Sequence, residues 1–288
     1  MSDATTASFA QFSGEDQSET ANGGDARGMT SELITQLTEA AKAVAALVTA
    51  HPITRPDSMP QFMAVFDEID KPASALLAEH LDRIRPDVPW AAEMRTEVPE
   101  TGEVWVVDPI DGAVQYIQGL PQWCVSVTLV RDREPIATVL HSSVLGETYT
   151  AERGRGAFRN GEPIAPSTKI DLSVCLVATS QPPTVADEPA AIAGAGRALA
   201  AVLPKVGAVR NLGPTSWQIA DTAAGRIDAF WEFGRDETNL LPGALIAREA
   251  GALVTDLNGL PWRTGDRSFL AAPPTLHDKV LPLLHDGV

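Results

Sequence analysis

The chain has 288 residues, 44% of them hydrophobic, enough to bury a full core in one large domain or two closely packed halves. Its formal charge of −16 argues against nucleic acid as a partner, because a phosphate backbone demands basic patches. No apolar run reads as long enough to span a bilayer, and no basic-then-apolar leader opens the chain, so neither a membrane span nor a secretory signal is expected.

Residues 1–29 are rich in Ser, Thr, Gly and acids without apolar periodicity, and are expected to form a disordered acidic tail. Helical spacing begins with Leu33, Leu37, Ala41, Val44 and Leu47, with Thr30 or Ser31 as cap and Glu32 in the first turn. The proline-rich "HPITRPDSMP" reads as a connector. "DKPASALLAEHLDRI" reads as a second amphipathic helix with Pro72 near its first turn. From Val104 the texture becomes strand-like: "WCVSVTLV" and "PIATVLHSSV" flank the polar turn "RDRE", and Asn160-Gly161 in "RNGE" marks a tight hairpin. The second half alternates strands ("SVCLVATS", "RIDAFWE", "ALVTD") with helices ("EPAAIAGAGRALAAVL", "TSWQIADTAAG", "LLPGALIAREAG"). Gly225 and Gly251 stand as helix stops. The expected organisation is the tail, helices plus an antiparallel sheet over 30–165, and an α/β half over 166–288.

Cys124 and Cys175 lie in apolar stretches and read as reduced core thiols, which points to a cytoplasmic protein. The histidines His51, His80, His141, His277 and His285 form no metal-spaced pair. "AGAGRA" sits inside a helical stretch, where no dinucleotide loop forms, and neither Ser143 nor Ser216 has a nucleophile-elbow context.

The informative segment is "VWVVDPIDGAVQYIQG", Val104–Gly119. A buried strand delivers Asp108 at its carboxyl end, Pro109 fixes the backbone and removes a donor, and Asp111 precedes Gly112. A helix beginning at Gly112 or Ala113 would turn free amides toward the two carboxylates. Hard divalent cations take such oxygens and phosphate takes such amides, which together suit hydrolytic phosphoryl transfer.

"WVVDPIDGA" resembles the signature of the inositol monophosphatase superfamily, whose members are magnesium-dependent phosphatases. "AAGRIDAFWEFGRDETNLLPGALIAREAGALVTDLNG" resembles its second block, and "FLAAPPTLHDKVLPLL" its final strand and helix. The resemblance implies a layered α-β-α-β-α sandwich of the inositol monophosphatase and fructose-1,6-bisphosphatase type. It further implies Mg²⁺ as cofactor, a small phosphorylated or anionic metabolite as substrate and a homodimer. Carried over residue by residue, it implies metal ligation by Glu93, Asp108, the Ile110 carbonyl and Asp111. Asp70 would orient the attacking water, Gly112 and Ala113 would hold phosphate, and Glu232 and Asn239 would face substrate.

Two positions depart from the pattern. Ala113 stands where the family carries the threonine whose hydroxyl pairs with the acid matched by Asp70. Asn239 stands where the family carries a metal-binding aspartate, with Asp236 three residues upstream as the possible replacement. Softer departures are "AVFDEID", with Ala64 and Asp67 at the family's Asp and Thr, and "GPTS" at Gly213–Ser216 in place of "GSAA". These changes imply weakened hydrolysis and reduced Mg²⁺ occupancy. Two other readings stay open: a repurposed family member performing cyclisation, elimination or group transfer, and a ligand-binding pseudo-phosphatase.

Overall fold

The structure is a computed structural model describing residues 31–91 and 98–285. The expected tail over 1–29 and the candidate ligand Glu93 lie outside the described residues.

Helix α1 (Glu32–Ala50) starts where Ser31 accepts a bond from the Ile34 amide, as its cap position predicts. It is long and apolar enough, by length and composition alone, to cross a membrane. Its Leu37, Ala41, Val44 and Val48 face is buried against the first sheet. Helix α2 (Met59–Ile84) corrects the sequence reading: it begins eleven residues before Asp70, so Pro72 lies in its interior. Ser58 and Pro60 supply the true start. Pro72 is tolerated because it sits on the exposed face, where water can satisfy the carbonyl left without a donor.

Among the described residues the first sheet has seven strands in chain order: β1 (Trp90–Ala91), β2 (Glu103–Asp111), β3 (Cys124–Arg131), β4 (Glu134–Ser142), β5 (Glu147–Glu152), β6 (Gly156–Arg159) and β7 (Glu162–Pro163). Only the β1–β2 pair is parallel; the rest form an antiparallel meander. Its tight turns are those the sequence announces. Asp132-Arg133 (φ 53° and 63°) joins β3 to β4, and Asn160-Gly161 (φ 51° and 82°) joins β6 to β7. Between β2 and β3 stands the short helix α3 (Ala113–Ile117).

The second sheet runs β11-β12-β10-β8-β9, built from β8 (Leu176–Thr179), β9 (Ala208–Arg210), β10 (Ala229–Phe233), β11 (Leu253–Thr255) and β12 (Ser268–Ala272). Helices α1 and α2 cover one face of the first sheet. Helices α5 (Thr215–Ala223) and α6 (Glu237–Ala250) lie between the two sheets. Helices α4 (Pro189–Val202) and α7 (Pro274–His285) close the outer face of the second. The result is the α-β-α-β-α layering expected from the sequence. The central layer is tight: a Cβ on Gly243 of α6 would stand 2.5 Å from the Cβ of Ile219 on α5. Trp217 and Trp231 are core residues, and Trp123 packs edge-on against Tyr116.

Candidate active site

The end of β2 is built by a bulge. Asp108 pairs with Ser126 and Asp111 with Cys124, so β2 spends one more residue than β3 between the two pairs. Pro109 occupies the bulge, where no ladder donor is required. The Ile110 amide donates to Asp108 Oδ1 at 2.8 Å, which fixes the first carboxylate beside the freed peptide. Asp111 is buried. The bulge thus brings Asp108 and Asp111 to one strand end, and both fields reach the Cys124 thiol between them.

Gly112 turns the chain at φ 92°, ψ 36°, and α3 begins at Ala113, as the sequence predicts. The turn closes when the Tyr116 amide donates to the Gly112 carbonyl at 2.9 Å, so the amides of Ala113, Val114 and Gln115 precede the first helical bond. Tyr116 anchors the turn by donating to the Val48 carbonyl of α1 at 2.9 Å. A Cβ at position 112 would meet the Gln122 carbonyl at 2.9 Å, in a backbone conformation that non-glycine residues resist. Gly112→Ala is therefore expected to cost about 1–3 kcal/mol. A chemical denaturation curve measures it, and an unchanged midpoint would show that the turn relaxes freely.

Asp111 has protein donors on one oxygen. Ser216, near the start of α5, makes a short hydrogen bond to Asp111 Oδ2, and Cys124 Sγ approaches the same atom at 3.8 Å. Burial pushes the Cys124 thiol well up, which keeps its proton in place as a donor. Burial also pushes Asp111 up to about 6, against the pull of the Ser216 and Cys124 bonds.

A second pair of buried acids lies next to Asp111. Glu232 on β10 is fully buried, and its Oε2 accepts from the Thr215 hydroxyl at 3.2 Å. Thr215 also lies 2.8 Å from the Ser180 hydroxyl. Asp236, at the N-cap of α6, accepts from Asn239 Nδ2 at 2.6 Å instead of capping its own helix. The Glu232 and Asp236 carboxyls are close enough to shift each other, and Asp236 feels the charge of Asp111. Burial pushes Glu232 well up and Asp236 up to about 7. Glu232 Oε1 and Asp236 Oδ2 are both buried with no hydrogen-bond partner.

Asp70 on α2 is half-buried. Ser74 lies 3.5 Å from its Oδ2, while its Oδ1 is buried with no partner. Burial raises its carboxyl above the ordinary range, and the Ser74 bond opposes that. Asp67 pairs instead with Lys71 at 2.8 Å on the exposed side of the helix.

Buried acceptor oxygens without donors, such as Asp70 Oδ1, are what a cation or a donor must satisfy, so the donor set suits a hard divalent ion. Among the described residues, no three His, Cys, Asp or Glu side chains converge as a ready metal cluster. The structure places Asp108, Asp111, Gly112 and Ala113 at one turn, and links Asp111 through Asp236 to Glu232 and Asn239. Sequence reasoning missed Thr215 and Ser216 as participants. The signal was present in "GPTS", two hydroxyls where the resembling family has alanines.

The model of the inositol monophosphatase family matches residues 26–288. A fructose-1,6-bisphosphatase/inositol-1-monophosphatase of Thermotoga maritima is 29% identical over 79% of this chain and 85% of its own. Inositol monophosphatase 2 of Solanum lycopersicum is 34% identical over 76% of this chain and 85% of its own. The Nus factor SuhB of Pseudomonas aeruginosa is 33% identical over 67% of this chain and 72% of its own. Among solved structures, a Thermotoga maritima IMPase superposes with a TM-score of 0.77 at 26% identity, covering 89% of this chain and 98% of that one.

Proposed function

Because the chain belongs to the inositol monophosphatase family, we propose that its site hydrolyses a small sugar, cyclitol or alcohol phosphate monoester with Mg²⁺, at reduced rate. The observation that carries this reading is the β2 bulge, which sets two carboxylates beside the first turn of α3. Members of the family generally use Mg²⁺. Asp108, Asp111 and the Ile110 carbonyl would hold it here, with Glu93 as a further ligand. When bound, the ion supplies charge neutralisation at the phosphate and an acidified water. The amides of Ala113, Val114 and Gln115 would take phosphate oxygens. Asp70 would orient the water through its unpartnered Oδ1. Asn239 has committed its Nδ2 to Asp236, which leaves its Oδ1 to accept from a substrate hydroxyl. Glu232 would act from behind, by holding Asp236 in place.

A phosphate-release screen over inositol, sugar and histidinol phosphates at millimolar Mg²⁺ tests this. Slow release is expected, falling by more than about 100-fold in Asp108→Asn, beyond the 10–100-fold attached to an outer partner of a metal ligand. No release from any substrate would remove the reading.

A second reading has its own support. Ser216 engages Asp111, and Ala113 offers no hydroxyl, so the fold could retain anion binding without efficient hydrolysis. A repurposed enzyme or a binding protein would then show saturable binding of a phosphorylated ligand without turnover.

A further inference from the structure

The hairpin of β4 and β5 ends in a group of side chains that the phosphate site does not use. His141, near the end of β4, is buried and pairs across the ladder with Thr148 of β5. Its Nδ1 lies 2.8 Å from the Thr148 hydroxyl, and its Nε2 lies 3.3 Å from the hydroxyl of Ser143. Ser143 itself is half-buried, so the covered ring sits behind a hydroxyl that solvent can reach. The turn that carries these groups is pinned. The Thr148 amide donates to Asn160 Oδ1 at 2.8 Å, and Asn160 Nδ2 donates to the Gly146 carbonyl at 3.3 Å. Burial, helped by the charge of Lys42 on α1 and opposed by a bond to the Glu147 backbone, lowers the ring below the ordinary value of 6.5. His141 is therefore neutral near pH 7, with one nitrogen free to accept a proton. A hydroxyl within reach of a base whose other nitrogen is fixed by a third group is the arrangement that activates a nucleophile. Val144 and Leu145, next in the turn, are 50% and 38% exposed and give that hydroxyl an apolar flank.

We propose that Ser143 is a nucleophile that takes an acyl group from an activated ester with a short apolar chain, with His141 as its base and Thr148 as the residue that positions the ring. Ser143 Oγ attacks the ester carbonyl, and a bond from Oγ to the acyl carbon forms as the bond from that carbon to the leaving oxygen breaks. The serine proton passes to His141 Nε2 and from there to the leaving oxygen, which returns the ring to its neutral state. Thr148 Oγ1 accepts from Nδ1–H and so keeps the lone pair on Nε2, facing the serine. Val144 and Leu145 offer the acyl chain an apolar surface. The step needs no cation and uses none of the residues assigned to phosphate release, so it stands or falls independently of the proposed function.

The test is incubation of the full chain with p-nitrophenyl butyrate in a chelator, read by p-nitrophenolate absorbance and by peptide mass mapping. A rapid release of p-nitrophenolate is expected, with a butyryl group found on Ser143. Ser143→Ala, a small change at a half-buried turn position, should abolish that labelling. His141→Gln should slow it by about 10²–10⁴-fold, the span of one positioned proton-transfer group. Thr148→Val should slow it as well, and Thr148→Ser, which keeps the hydroxyl, should restore it. Absence of butyryl on Ser143, or labelling confined to lysines and unchanged in Ser143→Ala, overturns the proposal, as does a folded His141→Gln that reacts at the wild-type rate. If His141→Gln fails to fold, the wild-type pH profile decides. Labelling that rises to a plateau with a midpoint below 6.5 supports a neutral His141 as the base, and a rate that climbs with hydroxide without a plateau refutes it.

Discussion

Ala113→Thr is expected to raise Mg²⁺-dependent phosphate release by about 10²–10⁴-fold, the span that one positioned proton-transfer group contributes. The physical ground is the pairing of two facts. Asp70 Oδ1 is buried with no partner, and position 113 carries a methyl group where the family resemblance requires a hydroxyl. By the family resemblance a hydroxyl at 113 pairs with the acid matched by Asp70, and that pairing would relieve a buried acceptor whose isolation costs about 1–3 kcal/mol. Ala113→Val separates the two effects of the change, because valine has the shape of threonine without its oxygen. The gain should appear with Thr and be absent with Val. Adding Asn239→Asp should increase it further by supplying a formal charge to the site. A threonine variant that stays folded, binds Mg²⁺ and shows wild-type release would mean that position 113 does not face the reacting water.

The second large effect is on stability against pH, measured in a chelator so that cation binding does not overlay it. Asp111 is pushed up to about 6 and Asp236 to about 7, and Glu232 well above its ordinary value, in each case first of all by burial. The ordinary Asp value is 3.8. The folded protein therefore holds protons that the unfolded chain has already released between about pH 4 and 7. Stability tied to these groups is present in full at low pH and is lost as pH rises through that window. Each pKa unit corresponds to about 1.4 kcal/mol, so the cluster's contribution is on the order of a few kcal/mol, a sizeable part of a typical domain's 5–15 kcal/mol. Self-repulsion of a chain carrying −16 also grows with pH, so the difference between variant and wild type is the informative quantity. Asp236→Asn keeps an acceptor for Asn239 and gains a donor for Glu232. Its melting temperature should exceed that of the wild type at pH 8, with the advantage shrinking toward pH 4. A variant that melts below wild type at pH 8 would show that Asp236 carries a compensated charge there.

Much of the architecture was legible because its causes are local. The cap at Ser31, the left-handed pair Asn160-Gly161 and the stop at Gly251 (φ 95°) each depend on a few neighbouring residues. The same holds for Asp108, Pro109, Ile110, Asp111 and Gly112: strand end, bulge, backbone-bonded carboxylate and helix start lie within five consecutive positions. The start of α2 was misread because proline is a strong local stop. Its cost depends on whether the orphaned carbonyl reaches water, which only the exposed side of the packed helix decides.

The sequence by itself determined the layered fold class and the acidic turn, along with the two positions where the family's hydroxyl and charge are missing. The tertiary structure alone decided what those acids touch. Ser216 reaches Asp111 across 105 residues of chain, and Thr215 reaches Glu232 across 17. Asp236 leaves its helix uncapped and lies within reach of the charge of Asp111. Such meetings follow from α5 and α6 being pressed between two sheets, with Gly243 against Ile219. Close packing brings together side chains that no local periodicity connects, and inside that layer a carboxylate must find a proton, a donor or an ion.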